Sequence, residues 1–150
     1  FKEVLGESTT TLPLQAGGNI VHGNATRIDW EKVCPKKESD EIYILGNPPY
    51  LGYALQSSEQ KEDIAFVFQN LDNYKKLDFI ACWFYLGAKY INGFNAKCAL
   101  VSTNSICQGE QVALIWPNIL NDNIELDFAY QSFKWTNNAK KNANVIVVII

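Results

Sequence analysis

Four consecutive residues, Asn47-Pro48-Pro49-Tyr50, carry the clearest chemical signal in the sequence. They follow an apolar segment typical of a buried strand, which the two prolines must end because proline lacks a backbone N–H. In a parallel α/β sheet, ligands bind at the carboxyl ends of the strands. By composition alone, Asn-Pro-Pro-aromatic is expected in roughly one chain in a thousand of this length. The tetrapeptide predicts a functional turn; the plain alternative is a proline-stiffened strand end with Tyr50 packed as a lid.

The residue types in this turn suit the transfer of a methyl group to an amino group on a ring. The exocyclic amine of adenine is a poor nucleophile because its lone pair is delocalised into the ring. Acceptors on both of its N–H bonds favour the pyramidal nitrogen that can attack, and the Asn47 side-chain carbonyl and Pro48 backbone carbonyl can act as these acceptors. Pro49 restricts Pro48 to an extended conformation, which aims that carbonyl in advance. Tyr50 offers a flat face on which an extruded base can stack.

Hydrophobic periodicity predicts the elements that position this turn. Short apolar runs bounded by turn residues predict strands beginning near Asn19 and spanning 41–46, 96–105, 124–133 and 143–150. Helical spacing predicts helices over 58–73 and 77–91, and a shorter one that starts near residue 109 and is disrupted or ended by Pro117.

This order of elements predicts an α/β fold with a mostly parallel sheet and one antiparallel closing strand. The last two predicted strands are joined by a polar segment, 134–143, that lacks helical periodicity. A parallel crossover usually needs a helix, so this link favours an antiparallel hairpin.

Composition limits the class of protein. The 150 residues are 47% apolar and 19% charged, which is typical of one globular domain. A formal net charge of -3 is unusual for a dedicated nucleic-acid clamp, so most phosphate contacts would come from other parts of a larger protein. The four cysteines form no CxxC pair and there is one histidine, so we expect no metal site and reduced thiols. Without a signal peptide or a long apolar run, the expected location is the cytoplasm.

Several longer segments make a more specific comparison possible. The segments "GNPPYLG", "SSEQKEDIAFVF", "LDFIACWFYLGAKYI", "LVSTNSICQGEQ" and "FKWTNNAKKNANVIVVII" resemble the MmeI-like enzymes. These are single-chain restriction-modification proteins with an S-adenosylmethionine-dependent DNA adenine methyltransferase. The resemblance covers the chain from about Asn19 to its end and implies a partial Rossmann-like class I methyltransferase sheet.

The resemblance implies a role for each matching residue. Asn47, Pro48, Pro49 and Tyr50 would grip and stack a flipped adenine in double-stranded DNA, and Phe133 would lie against the same base. Lys134, Lys140 and Lys141 form a small basic group that could contact a phosphate, although surface lysines usually have no specific partner.

The same resemblance implies half of a cofactor site. Asn24 and Ala25 in "HGNA" would contact the adenine of S-adenosylmethionine, with Asn24 replacing the Asp common at that position, and Gly46 and Asn47 would border the cofactor. The family's Gly-rich loop and ribose-binding acid are not visible, because Gly17-Gly18 precedes a predicted strand rather than a helix.

These observations predict that residues 1–150 are the C-terminal, target-base half of a methyltransferase catalytic domain. The chain starts at Phe1 and stops within an apolar run, which favours an excised fragment. The Gly-rich loop, the DNA-recognition domain and any endonuclease would lie elsewhere in the same polypeptide, and the fragment would be inactive alone. Two alternatives stay open: an enzyme that methylates a protein glutamine or an RNA base, and a non-catalytic specificity or interaction domain on the same fold.

Overall fold

In a computed structural model of the chain, residues 18–69, 71–121, 123–134 and 145–150 are described. The α-helices are α1 (Trp30–Val33), α2 (Ser58–Val67), α3 (Ala81–Ile91) and α4 (Glu110–Ile115). The strands are β1 (Ile42–Gly46), β2 (Ala96–Thr103), β3 (Tyr130–Lys134) and β4 (Ile146–Ile149). Single 3-10 turns lie at Tyr53–Leu55, Tyr74–Lys76, Asn104–Cys107 and Trp116–Asn118. The α/β class is confirmed, as are the predicted strand before the proline turn and the predicted helix after it, although that helix ends at Val67 rather than at residue 73.

The four strands form one sheet in the order β1-β2-β4-β3. β1 pairs with β2 in parallel, whereas β4 is antiparallel to both β2 and β3. The predicted antiparallel hairpin is therefore confirmed. The prediction of a mostly parallel sheet is not, because one of the three described pairings is parallel.

The core lies between the sheet and the helices that pack on it. Phe84 of α3, Leu100 of β2 and Val148 of β4 are all buried in one apolar cluster, which also includes Ile64 of α2. α3 approaches β2 closely: a Cβ added at Gly87 would lie 2.9 Å from the Cys98 sulfur. A larger residue at this position would force the helix and strand apart.

Two strand predictions need correction. Residues 18–22 form no strand, and Ile20 is 93% exposed. No described strand lies beside this segment, so its apolar pattern has no sheet to join. The predicted strand over 124–133 is shorter than expected, because regular pairing begins only at Tyr130.

α3 also starts later than its sequence predicts, at Ala81 rather than Leu77. The Asp78 side chain accepts a hydrogen bond from the Ile80 N–H, and the Asp78 carbonyl accepts one from the Ala81 N–H. These bonds form a tight turn ahead of the helix.

Candidate active site

Three strands present their carboxyl ends at one edge of the sheet. β1 and β2 are parallel, and β3 runs in the same direction as β2 because both are antiparallel to β4. Thr103 of β2 and Phe133 of β3 both pair with Val147, so they lie at the same level across the sheet. The sheet thus brings the turn after β1, the turn after β2 and the end of β3 to one edge, as strand direction predicts.

The turn after β1 exposes Asn47 and Pro49, whereas Pro48 and Tyr50 pack at least partly against the interior. Asn47 is exposed, and its side chain makes no hydrogen bond to any other described residue. Pro48 is buried and Pro49 exposed. Tyr50 is half-buried, with part of its ring against the core cluster. This arrangement leaves the Asn47 amide free to bind a ligand, while neighbouring residues anchor the turn.

The main chain of Leu51, the residue after Tyr50, is held through both its N–H and its carbonyl. Its N–H donates to the Asp78 carboxylate at 2.9 Å, and its carbonyl accepts from the Phe79 N–H at 3.0 Å. The Gln56 amide also donates to the Leu51 carbonyl at 2.9 Å and to the Leu77 carbonyl at the same distance. The segment that leaves the proline turn is therefore fixed to the chain that enters α3.

The turn after β2 joins the same network. Ser105 donates to the second oxygen of the Asp78 carboxylate at 3.2 Å, and its hydroxyl lies 2.6 Å from that of Thr103. The Gln111 side chain accepts from the Asp78 N–H at 3.0 Å and donates to the Lys76 carbonyl at 2.8 Å. One buried aspartate thus connects the turns that follow two neighbouring strands.

A second buried aspartate, Asp63 of α2, holds the loop predicted to contact a cofactor. Asp63 accepts from the Asn24 amide at 2.8 Å and from the Arg27 guanidinium at 2.7 Å. The Asn24 side-chain oxygen accepts from both the N–H and the hydroxyl of Thr26. These partners fix the amide orientation, because the Thr26 N–H can only donate and an ionised carboxylate can only accept.

This geometry changes what Asn24 can offer. Its oxygen, the group that would have accepted from the amino group of a bound adenine, already accepts two hydrogen bonds within the loop. One N–H of the Asn24 amide remains, and it suits an acceptor such as a ring nitrogen. Ala25 is half-buried, with its carbonyl accepting from the Trp30 indole at 2.8 Å, and Gly46 is exposed at the end of β1.

Phe133 and Lys134 end β3 at this edge, and both are exposed. Phe133 follows a register shift between Tyr130 and Phe133, an irregularity of the kind that re-aims a side chain. β1 and β3 are three interstrand steps apart, about 14 Å at the usual spacing. A base that touched both Tyr50 and Phe133 would lie across the ends of β2 and β4. Lys140 and Lys141 lie outside the described residues.

Other features of the described residues do not belong to this edge. A cavity of about 500 Å³ is lined by residues of β1, α3, the first half of β2 and segments 116–120 and 123–128, among others, and by none of the predicted site residues. No group of three His, Cys, Asp or Glu side chains in the described ranges could hold a metal ion. No described helix is long and apolar enough to cross a bilayer.

All four cysteines are free thiols; Cys82 is buried, Cys98 is half-buried, and Cys34 and Cys107 are exposed. Burial raises the pKa of the Cys82 thiol to about 12 and that of Cys98 to about 11. Both shifts disfavour the thiolate, which is the form in which a cysteine acts as a nucleophile.

The sequence matches the family model described as "MmeI, DNA-methyltransferase domain" over residues 1–150. The chain belongs to this family. It is 51% identical to DNA methyltransferase A of Bacillus subtilis strain 168 over 148 residues, which is 99% of this chain and 17% of that protein. A solved structure of the Type IIL restriction-modification enzyme MmeI in complex with DNA shares 42% identity, with a TM-score of 0.83. That match covers 99% of this chain and 20% of the solved chain.

The chain therefore spans about a fifth of the length of these relatives. The family, and with it the resemblance to MmeI-like DNA methyltransferases, is confirmed. The roles of the individual site residues stay predictions.

The polar residues of the edge network were not among the sequence candidates; they are Gln56, Asp78, Thr103, Ser105 and Gln111. Asp78 leaves a signal in the sequence, because it is the sole charge in the apolar run from Leu77 to Leu86. An aspartate in such a run must be hydrogen-bonded once it is buried, as it is here.

Proposed function

We propose that this chain is the target-base half of an adenine-specific DNA methyltransferase within a restriction-modification protein. In this proposal a methyl group passes from S-adenosylmethionine to the exocyclic 6-amino group of a flipped adenine. Membership of the MmeI DNA-methyltransferase family supports a DNA substrate over an RNA base or a protein glutamine.

The observation that carries the proposal is the exposed Asn47 amide at the carboxyl end of β1. Its side chain has no hydrogen-bond partner among the described residues, while Leu51 just beyond it is anchored through both N–H and carbonyl. A free polar group on a fixed turn is suited to bind and orient a substrate. An asparagine that only capped a strand end would be expected to bond to its own turn.

Each member of the turn has a role in the proposed reaction. The Asn47 and Pro48 carbonyls would accept from the two N–H bonds of the amino group, which favours the pyramidal nitrogen and stabilises the positive charge that develops on it. The half-buried Tyr50 would stack on the extruded base, and Phe133 would reach it from the other side of the edge. No general base is required, because the extra proton can leave to water once the new N–C bond has formed.

S-adenosylmethionine, when bound, supplies an electrophilic methyl group on a sulfonium sulfur that departs as a neutral thioether. Asn24, Ala25, Gly46 and Asn47 would form part of its site. The geometry fits this in a modified form: the free N–H of Asn24 would donate to a ring nitrogen, since its oxygen is already occupied by Thr26.

We further propose that the rest of the site lies in other parts of a longer polypeptide. This chain matches only 17% and 20% of the two relatives, which leaves room in proteins of that length for a Gly-rich cofactor loop, a DNA-recognition domain and a linked endonuclease. The net charge of -3 agrees with phosphate contacts made elsewhere. The isolated chain would then transfer no methyl groups.

The test is an Asn47→Ala substitution in the full-length protein. Methylated nucleosides in DNA would be measured by mass spectrometry, with RNA and a glutamine-containing peptide offered in parallel. We expect a loss of at least about 100-fold in the rate of N6-methyladenine formation, because one of two preorganised acceptors is removed.

A matched control is Asn118→Ala, since among the described residues the exposed Asn118 amide bonds only to the nearby Leu114 carbonyl of α4. This variant should methylate at the parental rate. Parental activity in Asn47→Ala would exclude the catalytic assignment. Absence of methylation in the parent under all conditions would favour a non-catalytic specificity domain.

A further inference from the structure

Asp78 lies beside the proposed site but has no role in the reaction proposed above. It is 6% exposed and directly precedes the segment that leads into α3. Within the described ranges no cationic side chain pairs with it. A buried carboxylate without a cation is costly unless hydrogen-bond donors surround it.

The donors come from three separate parts of the chain. One carboxylate oxygen accepts from the Leu51 N–H at 2.9 Å and from the Ile80 N–H at 3.3 Å. The other accepts from the Ser105 hydroxyl at 3.2 Å. Leu51 immediately follows the proline turn after β1, and Ser105 lies in the turn after β2.

We propose that Asp78 is a positioning residue that fixes the Asn47–Tyr50 turn relative to the neighbouring turn after β2. The inference rests on the proposed function. The 2.9 Å bond from the Leu51 N–H is the shortest of the three, and because its donor is a backbone group it restrains the path of the chain. The restraint acts one residue beyond Tyr50, on the segment whose path determines where the Asn47 and Pro48 carbonyls point.

Gln56 adds to this restraint because it binds the carbonyl of Leu51, whereas Asp78 binds the N–H of the same residue. Its amide donates to the Leu51 and Leu77 carbonyls, so Leu51 is bound through its N–H by Asp78 and through its carbonyl by Gln56 and Phe79. The bonds to backbone groups are independent of the Leu51 side chain. Two polar side chains therefore hold the turn in one position before any substrate arrives.

The experiment compares Asp78→Ala with Asp78→Asn in the full-length protein. The DNA would carry the enzyme's own site, identified beforehand by mapping modified adenines. We expect Asp78→Ala to lower the single-turnover rate of methyl transfer about 10- to 100-fold, because small displacements of positioned groups have effects of that size. The KM for S-adenosylmethionine should change less than the rate, because Asp78 has no bond to the loop that carries Asn24 and Ala25, two of the four proposed cofactor residues.

Asp78→Asn should restore the rate to within about threefold of the parent, because its amide oxygen can accept from both N–H groups while its NH2 donates to the Ser105 hydroxyl. If Asp78→Ala does not fold, a Ser105→Ala variant provides a second test of the positioning role. It removes the bond between Asp78 and the turn after β2, together with the Ser105–Thr103 hydroxyl bond, and should lower the rate by about three- to tenfold.

Two controls separate positioning from loss of stability. Gly87→Ala should lower the melting temperature by crowding Cys98, without touching either turn, and should keep its rate at temperatures well below its own midpoint. Asp127→Ala removes an exposed aspartate that pairs with Lys97 and should leave both properties unchanged.

A folded Asp78→Ala protein with a parental single-turnover rate would overturn the inference. So would an Asp78→Asn protein as slow as Asp78→Ala. If Asn47→Ala is inactive while Asp78→Ala is not, only the positioning role fails; if Asn47→Ala is active, the proposed function fails first.

Discussion

The two loops that carry the proposed site are each held by a buried aspartate, but in different ways. Asp78 binds the backbone N–H of Leu51 in the loop after β1 and that of Ile80 in its own turn, and it has no cationic partner in the described ranges. Asp63 binds side chains of the loop at 23–29, and one of its partners, Arg27, is 41% exposed. The first loop is fixed through its main chain and the second through side chains near solvent.

This difference matches the tasks proposed for the two loops. Chemistry at a ring amine needs acceptors aimed within a fraction of an ångström, which main-chain restraints provide. Cofactor binding tolerates more adjustment, and a loop held by a half-exposed ion pair can shift as a ligand arrives. We therefore expect substitutions near Asp78 to act on the rate of methyl transfer and those near Asp63 to act on cofactor affinity.

A Tyr50→Ala substitution is the next test of the loop after β1, following the Asn47 and Asp78 variants described above. Loss of one aromatic stacking partner costs about 1–3 kcal/mol per base, so the rate should fall by about 10- to 100-fold. Tyr50→Phe keeps the ring and should retain nearly full activity. Single-turnover assays on DNA would measure both variants. Equal losses in the two would show that the hydroxyl, rather than the ring, is required.

The sequence predicted the Asn47–Tyr50 turn better than it predicted the side chains that hold this turn in place. Proline chemistry placed the end of β1, and periodicity located α2, α3 and the closing hairpin, because each of these signals is local. Asp78 and Gln56 contact Leu51 across 27 and 5 residues respectively, and no local pattern indicates that pairing. The strand near Asn19 was predicted wrongly for a related reason: a strand requires a neighbour, and periodicity does not supply one.

Asn24 shows the same limit in the second loop. Its residue type and motif suggested an acceptor for a cofactor amino group, but Thr26, two residues later, occupies the oxygen. Asx turns of this kind are common, and a sequence gives little indication of whether the side chain bonds inward or to a ligand.

An Asp63→Ala substitution tests the loop at residues 23–29. It removes the partner of both Asn24 and Arg27, and the free energy of unfolding should fall by about 1–2 kcal/mol, a modest figure because Arg27 is partly solvated. The KM for S-adenosylmethionine should rise by about tenfold while the single-turnover rate at saturating cofactor stays near the parental value. Chemical denaturation and initial-rate kinetics would measure these effects. A selective loss of rate with unchanged KM would reverse the roles assigned to the two loops.

Lys134→Ala has the smallest expected effect, and it tests whether the end of β3 contributes to DNA binding as a third region of the edge. Lys134 is exposed at the carboxyl end of its strand, next to Phe133. If it contacts one phosphate, its removal should weaken DNA binding about equally for all sequences and lower the slope of log K against log salt by about 1. Titrations at several salt concentrations would measure that slope, with Lys61→Ala on the exposed side of α2 as the matched control. An unchanged slope would mean that Lys134 is a solvated surface lysine, and that this edge of the domain contacts the base but leaves the phosphates to other parts of the protein.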